Sequence, residues 1–170
     1  MKKRSADIRM LATAKLPTQW GTFQFSVWKS ISGNKKHILL VKGDIRQSSS
    51  PVLIRIHSAC ITSECFVSFK CDCREQLQEA MRLIELESAG VIIYLNQEGR
   101  GIGLVNKIKA YALQEKGFDT VQANQKLHLP VDKRNYHEAA DLLKYLSITK
   151  VKLMTNNPKK IQALTKAGIQ

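Results

Sequence analysis

Cys60, Cys71 and Cys73 form a C-x10-C-x-C series, and with Cys65 they account for every cysteine of the 170-residue chain. Thiolates are soft ligands with high affinity for Zn²⁺, and three of them leave the fourth tetrahedral position open to water, as in catalytic zinc sites. Cys65 would close the set into a structural site, but it precedes Cys71 by six residues, about 20 Å of extended chain. Packing as a small apolar side chain is the other reading of Cys65, and a buried cysteine cluster is the alternative for all four. A disulfide framework would spread its bridges along the chain instead of crowding one segment. The N-terminal stretch MKKRSADIRMLATAKLP has a basic cluster but neither a continuous apolar core nor a cleavage site, so a reducing cytoplasmic setting is expected.

A second group of residues suits anions. NQEGRGIGL at 96–104 carries Gly99, Gly101 and Gly103, which let backbone approach a ligand closely, and Arg100 adds a charged fork. A tight glycine turn with no ligand is the bland alternative. Asp132 and Arg134 lie two apart before a helical stretch, and Thr155 precedes a capped helix that carries Lys160. The net charge of +13 implies a polyanionic partner, whether nucleic acid, phospholipid or a phosphorylated small molecule. Lys35, Lys36, Lys150 and Lys152 read as solvated background. Aromatic residues are only 6% and form no stacking platform, so nucleic acid is not expected as the partner.

These residues need elements to hold them. Phe23, Phe25 and Val27 alternate with polar neighbours within LPTQWGTFQFSVW, as in a half-buried strand; ISGNKK reads as a turn, HILLVKG as a strand and DIRQSSSP as a loop. VLIRIHS and CFVSFKC read as two further strands joined by ITSE, with Cys60 ending the first and Cys71 and Cys73 on one face at the end of the second. Leu77, Ala80, Met81 and Ile84 then mark a helix, VIIYLN a buried strand, and Leu104, Ile108 and Tyr111 one face of a helix, where Tyr111 reads equally as a core aromatic. Ala139, Leu142, Leu143 and Leu146 mark another helix and KVKLMT another strand. The last helix has Asn156 or Asn157 as N-cap, Pro158 in its first turn and Gly168 as its stop. The expected class is α/β, a β-rich N-terminal half followed by alternating strands and helices. Residues 1–15 show no period and are expected to be a flexible basic arm, with 16–170 a single domain. No apolar run approaches the ~20 residues of a membrane helix.

Taken in order, RIHSAC, CDC with QL, QEGRGIGL, NKI, AYALQ, Asp119–Thr120, the outline Asp132–Arg134–Tyr136, and TNNPKK resemble GTP cyclohydrolase II of riboflavin biosynthesis. The resemblance runs from AKLPTQWG to the last residue. It implies a GTP cyclohydrolase II-like fold and a cytoplasmic, homodimeric zinc enzyme that opens the imidazole ring of GTP. The products would be formate, diphosphate and a diaminopyrimidine ribosyl phosphate. It places one Zn²⁺ per chain on Cys60, Cys71 and Cys73, and Mg²⁺ with the triphosphate. GTP contacts are carried onto Arg55, Ile56, His57, Ser58, Ala59, Gln76, Glu98, Gly99, Arg100, Thr120, Thr155 and Lys160. Asp132 is implied as proton acceptor, Arg134 as nucleophile, and Tyr111 as a participant in the zinc chemistry.

Glu98 could accept hydrogen bonds from guanine N1 and N2, and Arg55, Arg100 and Lys160 suit the triphosphate. A guanidinium has a pKa above about 12 and no free lone pair, so Arg134 either loses a proton to Asp132 during attack or stabilises charge while water attacks. The chain departs from the family pattern at Ala59, where Glu is usual; at Arg74, where Gly follows the cysteine; at His128, near a common Gly; and after KAGIQ, where relatives continue for a further segment. Ala59 is expected to weaken GTP binding more than zinc binding, so Ala59→Glu should lower the Michaelis constant for GTP. A paralogue with an altered product set and a non-catalytic nucleotide- or nucleic-acid-binding zinc protein are the alternatives.

Overall fold

A computed structural model describes residues 8–31, 34–45 and 50–170. Residues 1–7 of the expected arm, part of the ISGNKK turn and part of the DIRQSSSP loop lie outside these residues.

Strands β1 (Ile8–Thr18), β2 (Gly21–Ser30), β3 (Lys36–Lys42), β4 (Val52–Ser58), β5 (Gly90–Leu95) and β6 (Val151–Leu153) form one sheet in the order β1-β2-β3-β5-β4-β6. The first three and β5 pair antiparallel, whereas β4 runs parallel to both β5 and β6. β5 reads GVIIYL because both of its faces are covered. Val91, Ile93 and Leu95 pack with Ala139, Leu142 and Leu143 of α5 (His137–Tyr145) and Leu164 of α6 (Pro158–Lys166). Ile92 packs with Ala80, Met81 and Ile84 of α2 (Cys73–Leu86) on the opposite side. The remaining helices are α1 (Ile61–Glu64), α3 (Leu104–Gln114) and α4 (Thr120–Lys126). No helix among the described residues is long and apolar enough to cross a membrane. The expected α/β class with a β-rich first half is borne out.

Three expectations about elements are corrected. Residues 8–15 are not without regular structure: they belong to β1, which pairs with β2 through a turn at Gln19 and Trp20. Thr18 closes that turn, its hydroxyl donating to the Gly21 carbonyl and accepting from the Trp20 N–H. β1 showed no period because all but its first and last residues are exposed, so pairing and not burial makes it a strand.

CFVSFKC, in turn, is not a strand. ITSE is helix α1, and the N–H groups of Cys65, Phe66, Val67 and Ser68 return to carbonyls of Ile61, Ser63 and Thr62. Phe66 and Phe69 are 74% and 99% exposed, so their alternation reflects no buried face. The third correction concerns α3, whose buried residues are Lys107 and Ala110 while Leu104 and Ile108 stand exposed. Helix α4, of which only Asp119 and Thr120 were singled out, starts at a capping box between Asp119 and Gln122.

Val67, half exposed within the loop that leads to Cys71, has φ +57°. That conformation costs an L-residue about 1–2 kcal/mol, and more for a β-branched one. Glycine removes the strain but loses about 0.4–1 kcal/mol through its freer unfolded chain. Val67→Gly is therefore expected to stabilise the fold by about 0.5–1 kcal/mol. A thermal melt showing an unchanged or lower midpoint would count against strain at this residue.

Candidate active site

The carboxyl ends of β4 and β5 open onto a cavity of about 400 Å³. It lies where the sheet changes from antiparallel to parallel pairing, the position at which open α/β sheets bind ligands. Arg55, Lys70, Arg100, Lys107, Arg134 and Lys160 line it against only two carboxylates, Asp72 and Glu98. The same walls carry Cys60, Cys71 and Cys73.

Cys60 precedes α1, Cys71 ends the loop after it, and Cys73 is the first residue of α2. Helix α1 and its returning loop thus perform the reversal expected of two strands. The three sulfurs lie within 4.8 Å of one another, and those of Cys60 and Cys71 are 3.5 Å apart. Tetrahedral zinc with Zn–S bonds of about 2.3 Å would set sulfurs about 3.8 Å apart, so the group fits that ion. The donor chemistry agrees. Burial pushes the Cys60 thiol up, but hydrogen bonds from Lys107, Ser63, Thr62 and Cys71 more than offset it and leave the thiol below its ordinary value. Burial and the neighbouring sulfurs push Cys73 the other way. A divalent cation among the three sulfurs would favour the thiolate form of each. Cys65 is exposed and outside the group, so the donor set has three members.

Glu64 braces the first ligand. Its carboxylate accepts from the Cys60 N–H at 2.9 Å, is 3.0 Å from His57 Nε2, and accepts from the Tyr94 hydroxyl at 2.6 Å. Burial opposes ionisation of Glu64, but the His57 and Tyr94 hydrogen bonds outweigh it and hold the carboxyl below its usual range. His57 is almost fully buried and serves this network without facing the cavity.

The glycine loop is a turn, Glu98–Gly101, in which Gly99 and Arg100 have φ +61° and +57°. At Gly101 a Cβ would lie 3.1 Å from the Lys133 carbonyl carbon, so glycine permits the turn to press on the backbone that carries Arg134. A clamp completes the arrangement: the Gln97 amide donates to the Asn135 carbonyl at 2.7 Å and accepts from the Asn135 N–H at 3.1 Å. Glu98 is committed inward. One oxygen accepts from Ile61 N–H at 2.7 Å, and the other from Lys107 Nζ at 2.8 Å and Gly99 N–H at 3.1 Å.

Among the cations that suit an anion, Arg55 donates to Gln76 and to the Met154 carbonyl. Lys160 Nζ reaches the Ile56 carbonyl at 2.7 Å. Burial, then the positive charges of Arg55 and Arg134, lower the Lys160 pKa to about 8. Arg134 is held by Asp132 through Nε at 2.9 Å and an Nη at 3.1 Å. Burial disfavours the Asp132 carboxylate, but the Arg134 contacts prevail and bring its pKa to about 2.

An anion among these cations favours protonated Lys160, which is charged below about pH 8 and neutral above it. Affinity for inorganic triphosphate, measured by calorimetry from pH 6.5 to 9.5, is therefore expected to fall as pH rises through about 8. Lys160→Met should remove that step, and a step persisting in the variant would assign it to another group.

The cavity gathers Arg55, Ser58, Ala59, Gln76, Glu98, Gly99, Arg100, Thr120 and Lys160, together with Arg134 and Tyr111. Tyr111 is a wall residue under the ammonium groups of Lys70 and Lys107, not a core aromatic. Ile56, His57, Asp132 and Thr155 do not line the cavity. Ile56 is core, Asp132 stands behind Arg134, and Thr155 accepts from the Asn157 N–H at the start of α6. Arg74 turns to Glu75 instead of entering the site, and His128 takes φ +53°, a conformation that favours glycine. Sequence reasoning missed Lys107 and Gln97. A lysine three residues after Leu104 and four before Tyr111, on a shared helical face, was the signal for the first; the second had none.

The family model of GTP cyclohydrolase II matches residues 9–170. A GTP cyclohydrolase-2 of Acinetobacter baumannii (strain AYE) is 51% identical over 162 residues, covering 95% of this chain and 81% of the relative. That of Haemophilus influenzae (strain PittEE) is 48% identical over 164 residues, covering 96% and 76%. Among solved structures, RibBX, a two-domain 3,4-dihydroxy-2-butanone 4-phosphate synthase from A. baumannii, matches with a TM-score of 0.54 at 17% identity. That match covers 92% of this chain and 36% of RibBX, and it shows likeness of fold alone.

Proposed function

The chain belongs to the GTP cyclohydrolase II family, and from that membership we propose that it opens the imidazole ring of GTP, releasing formate and diphosphate. The observation that carries the reading is the convergence of three cysteine sulfurs and six cationic side chains on one cavity. Cys60, Cys71 and Cys73 would hold one Zn²⁺, which when bound supplies Lewis acidity toward the guanine ring. Arg55, Arg100 and Lys160 bind the triphosphate, with Mg²⁺ expected among its oxygens. With that product set the enzyme would act at the first step of riboflavin biosynthesis, and the family resemblance implies a cytoplasmic homodimer.

The ion pair with Asp132 keeps Arg134 charged and fixes the plane of its guanidinium. A carboxyl held near pKa 2 is a poor acceptor for a guanidinium proton, which supports charge stabilisation at the α-phosphate over nucleophilic attack by Arg134. Three hydrogen bonds already commit Glu98 to the turn that presents Arg100, which leaves about one acceptor site on Oε2 for guanine. Tyr111 walls the cavity and keeps two ammonium groups over its ring.

Incubation of metal-analysed protein with GTP and Mg²⁺, with formate and diphosphate assayed separately, tests the proposal. Both products, with about one zinc per chain, are expected. Formate alone would favour a paralogue with altered outcome, a reading to which Ala59 in the cavity wall lends weight. Neither product from zinc-loaded, GTP-binding protein would make the chain a binding module.

A further inference from the structure

We infer that Lys107 is a positioning residue that ties the Cys60 sulfur to the Glu98–Arg100 turn, so that the metal-ligand set and the anion-binding loop hold each other in place. The inference rests on the reading that the three cysteines hold a metal. Lys107 sits in the first turn of α3 and is 7% exposed, an unusual place for a lysine. Its ammonium lies 3.1 Å from Cys60 Sγ, 2.7 Å from Thr62 Oγ1 and 2.8 Å from Glu98 Oε1. An ammonium has three protons, and each has an acceptor here, two on the cysteine segment and one on the turn. No proton is left over for chemistry, so the group positions rather than reacts.

The turn is bound from the other side as well. Glu98 Oε2 accepts the Ile61 N–H, next in sequence to Cys60. A Cβ at Gly99 would come within 3.0 Å of Lys107 Cβ, so the lysine stem packs directly on the turn. Charge explains why a cation is required. Three thiolates around a divalent ion leave one net negative charge, and Glu98 adds a second beside it. Lys107 is the cation that touches both. Without it, Glu98 stays buried near a thiolate with its charge unpaired, and the carboxylate is driven outward, carrying Gly99 and Arg100 with it.

The test uses zinc-loaded full-length protein without nucleotide. Transfer of zinc to a chromophoric chelator is expected to be about tenfold faster or more in Lys107→Met than in wild type, the loss of one buried charge-assisted contact. The Lys107→Met, Glu98→Gln double variant should recover much of that rate difference, because no orphaned carboxylate remains. Amide exchange supplies a readout that a merely structural role would not move. Zinc loading should slow exchange at Gly101, Ile102 and Gly103 in wild type and leave it unchanged in both variants. If the single variant fails to fold, the double variant carries the exchange measurement, in which zinc protection of the turn at the wild-type level overturns the tie. Wild-type zinc release in Lys107→Met, with zinc still protecting the turn, overturns the tie alone. Wild-type protein that binds no zinc overturns the metal reading and the tie together.

Discussion

Replacing Cys71 with serine is expected to reduce bound zinc well below one per chain and to lower formate release by at least about a thousandfold. A serine hydroxyl is a harder donor and stays protonated at neutral pH, so it does not replace a thiolate in a three-sulfur set. The fold should survive, since Cys71 sits half buried in a loop and belongs to neither hydrophobic cluster. Diphosphate release should be retained in larger measure, because the substitution leaves the cavity cations Arg55, Arg134 and Lys160 in place. Cys65→Ser is the matched control: its thiol is exposed and outside the group, so zinc and formate should both stay at wild-type levels. Metal analysis by plasma emission, with circular dichroism to check folding, reads the outcome. A Cys71→Ser protein that keeps one zinc and its formate activity would remove the three-cysteine site from the mechanism.

Arg134→Ala is expected to lower diphosphate release by about a hundred- to a thousandfold, the usual cost of losing one aligned donor at a developing charge. Zinc content should be unchanged, since Arg134 contacts none of the sulfurs by hydrogen bond. The variant has a second signature. Arg134 is one of the charges that lower the Lys160 pKa to about 8, so its removal should move the pH step in triphosphate affinity upward. The carboxylate left behind keeps Lys159, 3.4 Å away, as a partner, which limits the structural penalty at Asp132. Phosphate-release kinetics and the calorimetric pH series together check this. Wild-type diphosphate release in Arg134→Ala would exclude both roles considered for the guanidinium.

How much of this was legible in the sequence follows the range of the forces involved. Helices α2, α5 and α6 could be read because an apolar stripe, an Asn157 cap and Pro158 act within a few residues of themselves. The buried strand GVIIYL was legible for the same reason. CFVSFKC misled because alternation looks the same whether a sheet or solvent lies beside it. With no strand to pair with, its N–H groups bonded to α1 instead. β1 misled in the opposite sense, as a strand that gains its hydrogen bonds from β2 while burying little.

By itself the sequence determined which atoms are available for chemistry: three cysteines near one another in the chain, cations spread from Arg55 to Lys160, and the ordered motifs of a family. Tertiary structure decided which of them meet. The parallel register of β4 with β5 and β6 brings Arg55, Glu98 and Lys160 to one cavity. The return after α1 sets Cys60 beside Cys71, and the clamp from Gln97 to Asn135 delivers Arg134. The buried ammonium of Lys107 depends on all of these at once. Residue type and local period are properties of a few neighbours in the chain, whereas convergence across a hundred residues is fixed only when the sheet pairs and its helices pack.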